Sequence, residues 1–218
     1  MSHGRSVYRC TKQVFIYHRQ EDENYNFLRS IDLFVVPENT NPWAYYNPAI
    51  YSLYFDDNFE EGKSRVLAGT ESAVLELSYS PSHRVAPTVL LGYPGDSGMD
   101  PVKIDAKIGR VTGIVAAEQG SYLISDATYH FIRHFVESIR SSDVAMGVPG
   151  EPGNSSGKID TPGELIRNSS DTYLILCKQA LYVYNRATSE VSLLLRSPSV
   201  AGFTDLIVQS GTLLSGNR

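Results

Sequence analysis

Cysteine is scarce in this sequence, and its scarcity excludes whole classes of small protein. The 218 residues include only Cys10 and Cys177. Two cysteines so far apart cannot build the disulfide framework of a small secreted domain, and they do not have the spacing of metal ligands. The plain interpretation is a protein with reduced thiols, and we therefore expect a cytoplasmic location.

The sequence also lacks any long apolar run. Residues 1–6 lead into polar sequence without the apolar core of a secretory leader, and no later run reaches the length of a membrane span. These two absences predict a soluble chain that does not cross a membrane.

Clustered positive charge is a third absence. Lys and Arg total 19 against 24 Asp and Glu, which gives a formal charge of -5, and no stretch concentrates the basic residues. Phosphate recognition relies on clustered Lys and Arg, so we expect no nucleic-acid partner. An acidic chain is better matched to a basic protein.

What remains is an ordinary globular composition with some enrichment in tyrosine. Hydrophobic residues make up 42% of the chain, charged residues 20%, and there are 14 tyrosines. These values favour a sizeable core over disorder. The length allows one large domain, or one domain with a small appendage.

The strongest local pattern predicts a helix over residues 126–140. Asp126 is a suitable N-cap, and Arg140 would place a cation at the C-terminal end of the helix dipole. The apolar residues have the i, i+3, i+4, i+7 spacing of one helix face: Ile132, Phe135, Val136 and Ile139. We expect these side chains to pack on a sheet.

Runs of β-branched and aromatic residues predict strands upstream of that helix. The candidate strands are residues 14–17, 33–36, 52–55, 73–77, 102–105, 109–115 and 121–124. A short helix is expected over residues 24–31. The expected fold class is α+β, a mainly antiparallel sheet with a packed C-terminal helix, plus a short appended β-β-α segment.

A change in composition divides the chain. Gly, Pro and Ser dominate residues 146–163, which predicts a linker that is mobile and open to proteolysis. It separates an α+β core domain, residues 1–145, from a small β-rich appendage or partial repeat, residues 164–218. In that appendage, 173–177, 180–184 and 190–195 are expected strands, and Phe203, Leu206 and Ile207 have helical spacing.

One short motif suggests catalysis. Gly95-Asp96-Ser97-Gly98 resembles the nucleophile turn of trypsin-like serine proteases, and His18 and Asp32 precede Ser97 in that family's chain order. Only 17 residues precede His18, too few for the strands of that fold. The same residue types form tight turns for backbone reasons alone. We favour the turn and keep a hydrolase using Ser97, His18 and Asp32 as an alternative.

Two histidines have a spacing that permits metal binding on a helix. His130 and His134 are four residues apart, but no third ligand cluster is evident. We expect a solvated polar face, with no metal and no cofactor.

A candidate partner-binding surface combines aromatic and acidic residues. Aromatic side chains commonly anchor protein interfaces, and acidic side chains steer a basic partner. Its members are Trp43, Tyr45, Tyr46, Asp56, Asp57, Glu60 and Glu61. The alternative is that the aromatic residues belong to the core and the acidic run is a solvated loop.

The stretch from Leu90 to Ile139 resembles the SUKH superfamily of toxin-immunity proteins, nearest its fourth subgroup. The matching residues are Leu91-Gly92, Val102-Lys103-Ile104-Asp105, Gly109-Arg110-Val111, Leu123-Ile124-Ser125-Asp126 and Phe131-Ile132-Arg133-His134-Phe135. The resemblance covers about half the chain. It implies an α+β domain that binds a toxin and blocks it without catalysis.

We therefore expect a non-enzymatic protein-binding module. The resemblance implies one of the immunity type, whose partner is a basic toxin or effector. Two alternatives from other classes stay open. One is the serine hydrolase, and the other is a structural subunit of a larger assembly.

Overall fold

A computed structural model describes most of the chain. Side chains and backbone are described for residues 48–56, 65–77, 87–100, 102, 106–155 and 157–197. For some strand residues only the backbone is described: 5–10, 13–19, 25–32, 57–60, 63–64, 78, 103–104, 205–209 and 212–216.

The described strands form five antiparallel sheets, each built from consecutive or nearly consecutive strands. The first sheet has the order β1-β2-β3, and the second has the order β4-β5-β6-β7. Their strands are β1 Arg5–Cys10, β2 Gln13–Arg19, β3 Tyr25–Asp32, β4 Ser52–Glu60, β5 Lys63–Gly69, β6 Ala73–Ser78 and β7 Thr88–Gly92.

The third sheet has the order β8-β12-β11-β10-β9, and the fourth has the order β13-β14-β15-β16. The third contains β8 Lys103–Ile104, β9 Val111–Glu118, β10 Ser121–Asp126, β11 Phe131–Val136 and β12 Ser141–Gly147. The fourth contains β13 Pro162–Arg167, β14 Thr172–Cys177, β15 Ala180–Asn185 and β16 Glu190–Arg196. The fifth is the hairpin of β17 Asp205–Gln209 and β18 Thr212–Gly216.

The expected α+β fold is wrong, because the regular secondary structure of the described residues is almost entirely β-strand. Residues 126–140 contain β11 and a three-residue 3-10 turn, Glu137–Ile139, instead of one helix. That turn is the only helix in the described part of the chain, so no helix there is long and apolar enough to cross a membrane.

The packing of β11 explains the error. Ile132 contacts the core that the third sheet shares with the fourth, and Phe135 contacts the core shared with the second sheet. Both are fully buried, whereas Ile139 is 63% exposed. A central strand buried on both faces loses the apolar–polar alternation of a half-buried strand. Apolar residues three and four apart then resemble a helix face.

Two smaller helix predictions are wrong as well. Residues 24–31 lie mostly in β3, and Leu206 and Ile207 lie in β17, so the appended segment is not β-β-α. Most strand predictions are confirmed within a few residues, from the strand at 14–17 to the strand at 190–195. The strand predicted at 33–36 lies outside the described residues.

The third and fourth sheets repeat one hairpin. Asp126 ends β10 and its carboxylate accepts from Tyr129 N, while Asn185 ends β15 and its side-chain oxygen accepts from Ala187 N and Thr188 N. The last turn residue, His130 or Ser189, has a positive φ of 61° or 58°. The same turn therefore recurs in two hairpins, and the small β-rich appendage or partial repeat at 164–218 stays a prediction.

The segment between the third and fourth sheets contacts both. Gly150 N donates to Tyr129 O over 2.7 Å, and Asp160 O accepts from Lys178 N over 3.1 Å. Ile159 is fully buried in the core that the two sheets share. The linker at 146–163 and the domain limits at 145 and 164 stay predictions, which limited proteolysis tests.

Candidate binding groove between the inner strands

Three end strands from different sheets lie side by side and enclose a cavity. These inner strands are β4, β9 and β13, and each is hydrogen-bonded on only one side to another of the described strands. The cavity has a volume of about 400 Å³ and is lined by residues 51–54, 112–114 and 164–166. We call it the inner-strand groove.

The same side-chain contact joins each inner strand to the next. Ser52 Oγ, in β4, donates to Val111 O of β9 over 3.1 Å. Thr112 Oγ1, in β9, donates to Pro162 O of β13 over 2.6 Å. A hydroxyl near the start of one strand thus satisfies the first carbonyl of the next, which fixes the spacing of the groove walls.

Glycine permits the close approach of the inner strands. A Cβ atom added at Gly113 would lie 2.4 Å from Gly163 O and 3.0 Å from Leu165 N. A Cβ atom added at Gly69, in β5, would lie 2.2 Å from Ser52 Oγ. Any larger residue at these positions would push the walls apart.

The groove combines apolar and acidic groups. Glu164 is an exposed carboxylate on β13, and the partly buried Ile166 lies beside it. Tyr51 donates from its hydroxyl to Glu71 Oε1 over 2.6 Å, and the Arg110 guanidinium lies 4.8 Å from the centre of its ring. The accessible lining of the groove is more polar than apolar, which suits hydrogen bonding to an extended segment better than burial of an apolar ligand.

A buried polar cluster lies between the second and third sheets. The Arg65 guanidinium donates to Glu137 Oε2 over 2.6 Å and to Glu76 Oε2 over 3.2 Å. It also donates to the Tyr122 hydroxyl, which itself donates to Asp56. Burial and the bond to Asp56 raise the pKa of Tyr122, so this hydroxyl remains a neutral donor. The cluster fixes β4 against β10 behind the groove.

The structure places only part of the predicted partner-binding surface. Asp56 is 4% exposed, and its carboxylate lies 3.6 Å from Arg65 Nε in the buried cluster. Asp57 and Glu60 lie in β4, with only their backbone described. The remaining members fall outside the described residues: Trp43, Tyr45, Tyr46 and Glu61.

The Ser97 motif forms the expected turn. Asp96 N donates to Tyr93 O over 2.9 Å, and Gly95 has a φ of +80°, the left-handed conformation that a type II turn requires after proline. Ser97 follows this turn and is exposed.

The strand register of the first sheet separates His18 from Asp32. His18 pairs with Asn26, whereas Asp32 pairs with Gln13. His18 and Gln13 are five residues apart along β2, a separation of about 16 Å at the usual rise per strand residue. The structure therefore does not bring this candidate base and this candidate orienting acid together.

His134 instead joins a row of three polar side chains across β10, β11 and β12. Its Nε2 lies 2.8 Å from Ser121 Oγ, and its Nδ1 lies 3.3 Å from Asp143 Oδ1. The residue types and their order match a Ser-His-Asp triad, but the exposure of the serine and of the aspartate does not. Ser121 is 5% exposed and the Asp143 side chain 61%, whereas acyl transfer needs a reachable serine and a buried acid. These contacts link the side chains of three adjacent strands and are suited to stabilising the sheet.

His130 lies apart from this row. Its Nδ1 accepts from Thr161 N over 3.1 Å and lies 3.4 Å from Asp160 Oδ1. Among the described residues, no group of three His, Cys, Asp or Glu side chains is arranged to hold a metal ion.

Sequence reasoning missed the groove residues. Ser52 begins the predicted strand 52–55, but Thr112 lies in the middle of the predicted strand 109–115, so their shared position near a strand start is visible only in the structure. The sequence contained no signal that marks Glu164 as a groove residue, because one glutamate in an alternating strand is an ordinary solvent-facing residue.

The solved structures that are similar to this chain include a β-propeller. The Dos1 propeller matches with a TM-score of 0.51 at 11% identity, over 94% of this chain and 49% of its own length. The extracellular domain of a one-component system from Bacteroides thetaiotaomicron matches with a TM-score of 0.51 at 13% identity, over 94% of this chain and 25% of its own.

A protein of unknown function from Bacteroides thetaiotaomicron VPI-5482 matches with a TM-score of 0.52 at 10% identity, over 75% of this chain and 41% of its own length. No family model matches the chain, and no curated protein is similar in sequence. The chain spans less than half of each of these solved structures. At these identities the likeness concerns the fold alone, and it agrees with four-stranded blades whose inner strands face a common channel.

Proposed function

We propose that the chain is a non-enzymatic protein-binding module that holds a basic segment of its partner in the inner-strand groove. The observation that carries this proposal is the convergence of three edge strands on a cavity of about 400 Å³ that contains the exposed carboxylate of Glu164. Edge strands bind extended segments through their backbone groups, and pockets beside them select side chains.

Charge favours a basic occupant. The chain carries a formal charge of -5, and Glu164 places one negative group directly in the groove wall. A Lys or Arg side chain of the partner would pair with this carboxylate, while its aliphatic stem packs on Ile166. Long-range attraction would also speed the encounter at low salt.

Neutralisation of a basic toxin is a narrower form of the same proposal. It is supported by the acidic charge and by the residues that resemble the SUKH superfamily. The helix expected within that resemblance is strand β11, so the support comes from the residues and not from the fold. Coexpression with a toxin encoded by a neighbouring gene tests this form.

The experiment for the groove is affinity capture from the native cell with matched variants. Mass spectrometry would identify the proteins captured by wild type, and the purified partner would then be titrated against Glu164→Lys and Glu151→Lys. Glu151 is an exposed glutamate outside the groove. We expect Glu164→Lys to weaken binding by about tenfold or more, because it opposes like charges. Equal binding by both variants would remove the groove from consideration.

A fluorophosphonate probe separates this proposal from the hydrolase alternative. We expect no labelling of the native protein that depends on Ser97 or Ser121. Labelling of wild type that disappears in Ser97→Ala or Ser121→Ala would favour a serine hydrolase instead.

A further inference from the structure

The outer strand of the fourth sheet is exposed along its whole length. All seven residues of β16 are exposed, including Val191, Leu193, Leu194 and Leu195 at 41–51%. No other described strand pairs with its outer edge. Residues 191–195 contain neither charge nor proline, which are two common means by which edge strands avoid further pairing.

The corresponding outer strand of the third sheet is protected. The short strand β8 pairs with β12 through Ile104 opposite Ser141 and Lys103 opposite Ser142. β12 also carries the exposed carboxylate of Asp143. β16 pairs with no such strand among the described residues, and its charged residues lie only at its two ends, so its apolar centre is left as an open edge.

The two ends of β16 carry opposite charges. Glu190 begins the strand and Arg196 ends it, and both side chains are exposed. Two copies related by a twofold axis would pair these strands antiparallel. The Glu190 end of each copy would then meet the Arg196 end of the other, and the apolar centres would meet each other. The strand is therefore complementary to a second copy of itself.

We propose that β16 forms the interface of a homodimer in which two fourth sheets join edge to edge as one eight-stranded antiparallel sheet. Leu194 is the extra residue of a β-bulge opposite β15, where Leu193 pairs with Tyr182 and Leu195 with Leu181. The bulge affects which side chains share a face. It does not affect which strand ends meet, because that follows from antiparallel pairing alone.

Charge reversal tests the dimer directly. Wild type, Glu190→Arg and Arg196→Glu would be compared by light scattering across a concentration series. We expect wild type to dimerise, and each single variant to dimerise about tenfold more weakly, since like charges would meet at both strand ends. Mixing the two variants should restore a dimer, because each end of one then meets the opposite charge of the other.

Two further variants complete the test. The double variant Glu190→Arg with Arg196→Glu should dimerise like wild type. Leu193→Lys should be monomeric, and at dilutions where wild type is also monomeric the two should melt at the same temperature, because this side chain is exposed. Monomeric wild type at every concentration would overturn the proposal. So would single variants that dimerise as tightly as wild type, or a mixture that forms no dimer.

Discussion

The β10–β11 hairpin and the β15–β16 hairpin have the same turn but opposite environments. Asp126 and Asn185 occupy one position of that turn, and His130 and Ser189 occupy its left-handed position. The returning strand β11 is mostly buried, whereas β16 is exposed throughout. β11 is a central strand of the third sheet, which packs against the second and fourth sheets, whereas β16 is the end strand of its sheet and pairs with no other described strand at its outer edge. Local sequence sets the hairpin, and neighbouring sheets determine its burial.

The largest difference in stability between the hairpins should appear when one apolar side chain in each is replaced by alanine. Phe135→Ala should lower the free energy of unfolding by about 3–5 kcal/mol, because it leaves a cavity in a full core. Leu193→Ala, in the second strand of the other hairpin, should change the free energy of unfolding by less than about 0.5 kcal/mol, because the side chain is 49% exposed. Urea unfolding measures both, and equal losses would contradict the comparison.

Exchanging the residue that begins each turn, Asp126 or Asn185, gives the next largest effect on stability. Asp126 is fully buried, and its Oδ2 accepts from Arg133 Nε over 3.0 Å and from Nη2 over 2.9 Å. Asp126→Asn would leave the buried guanidinium without its counter-charge and should cost about 3 kcal/mol. Asn185→Asp, on the exposed hairpin, should stay within about 0.5 kcal/mol of wild type.

Thermal unfolding of the two exchange variants checks this prediction. A small change in melting temperature for Asp126→Asn would show that the ion pair between Asp126 and Arg133 contributes little to stability. The two turns would then differ only in their surroundings. Burial lowers the pKa of Arg133 and Asp126 opposes this effect. Because a guanidinium stays protonated even when buried, the Asp126→Asn variant would hold an unpaired buried charge.

The smallest effect concerns the left-handed turn residue. Ser189 has a φ of 58°, which costs a residue with a Cβ atom about 1 kcal/mol relative to glycine. Ser189→Gly relieves this strain but removes the side-chain bond to Tyr184, so it should stabilise the protein by about 0.5 kcal/mol. His130→Gly likewise removes the bond from Thr161 N, and we expect a similarly small gain. A Ser189→Gly variant less stable than wild type would argue against the assigned turn.

Much of the strand pattern could be predicted from the sequence, because strands such as β4 and β15 are rich in aromatic and aliphatic residues and are bounded by clear turn signals. Strand β11 could not, since burial on both faces gives it helical spacing. The groove could not be predicted either. Thr112 and Pro162 are 50 residues apart, and only the packing of three sheets brings their strands together.

Hydrogen exchange on the complex with the captured partner tests the central claim most directly. We expect amide exchange to slow at residues 51–54, 112–114 and 164–166, which line the inner-strand groove, and to stay unchanged at the Pro94-Gly95 turn and in β16. Slowing confined to the turn or to β16, with no change at the groove, would contradict the proposed binding site.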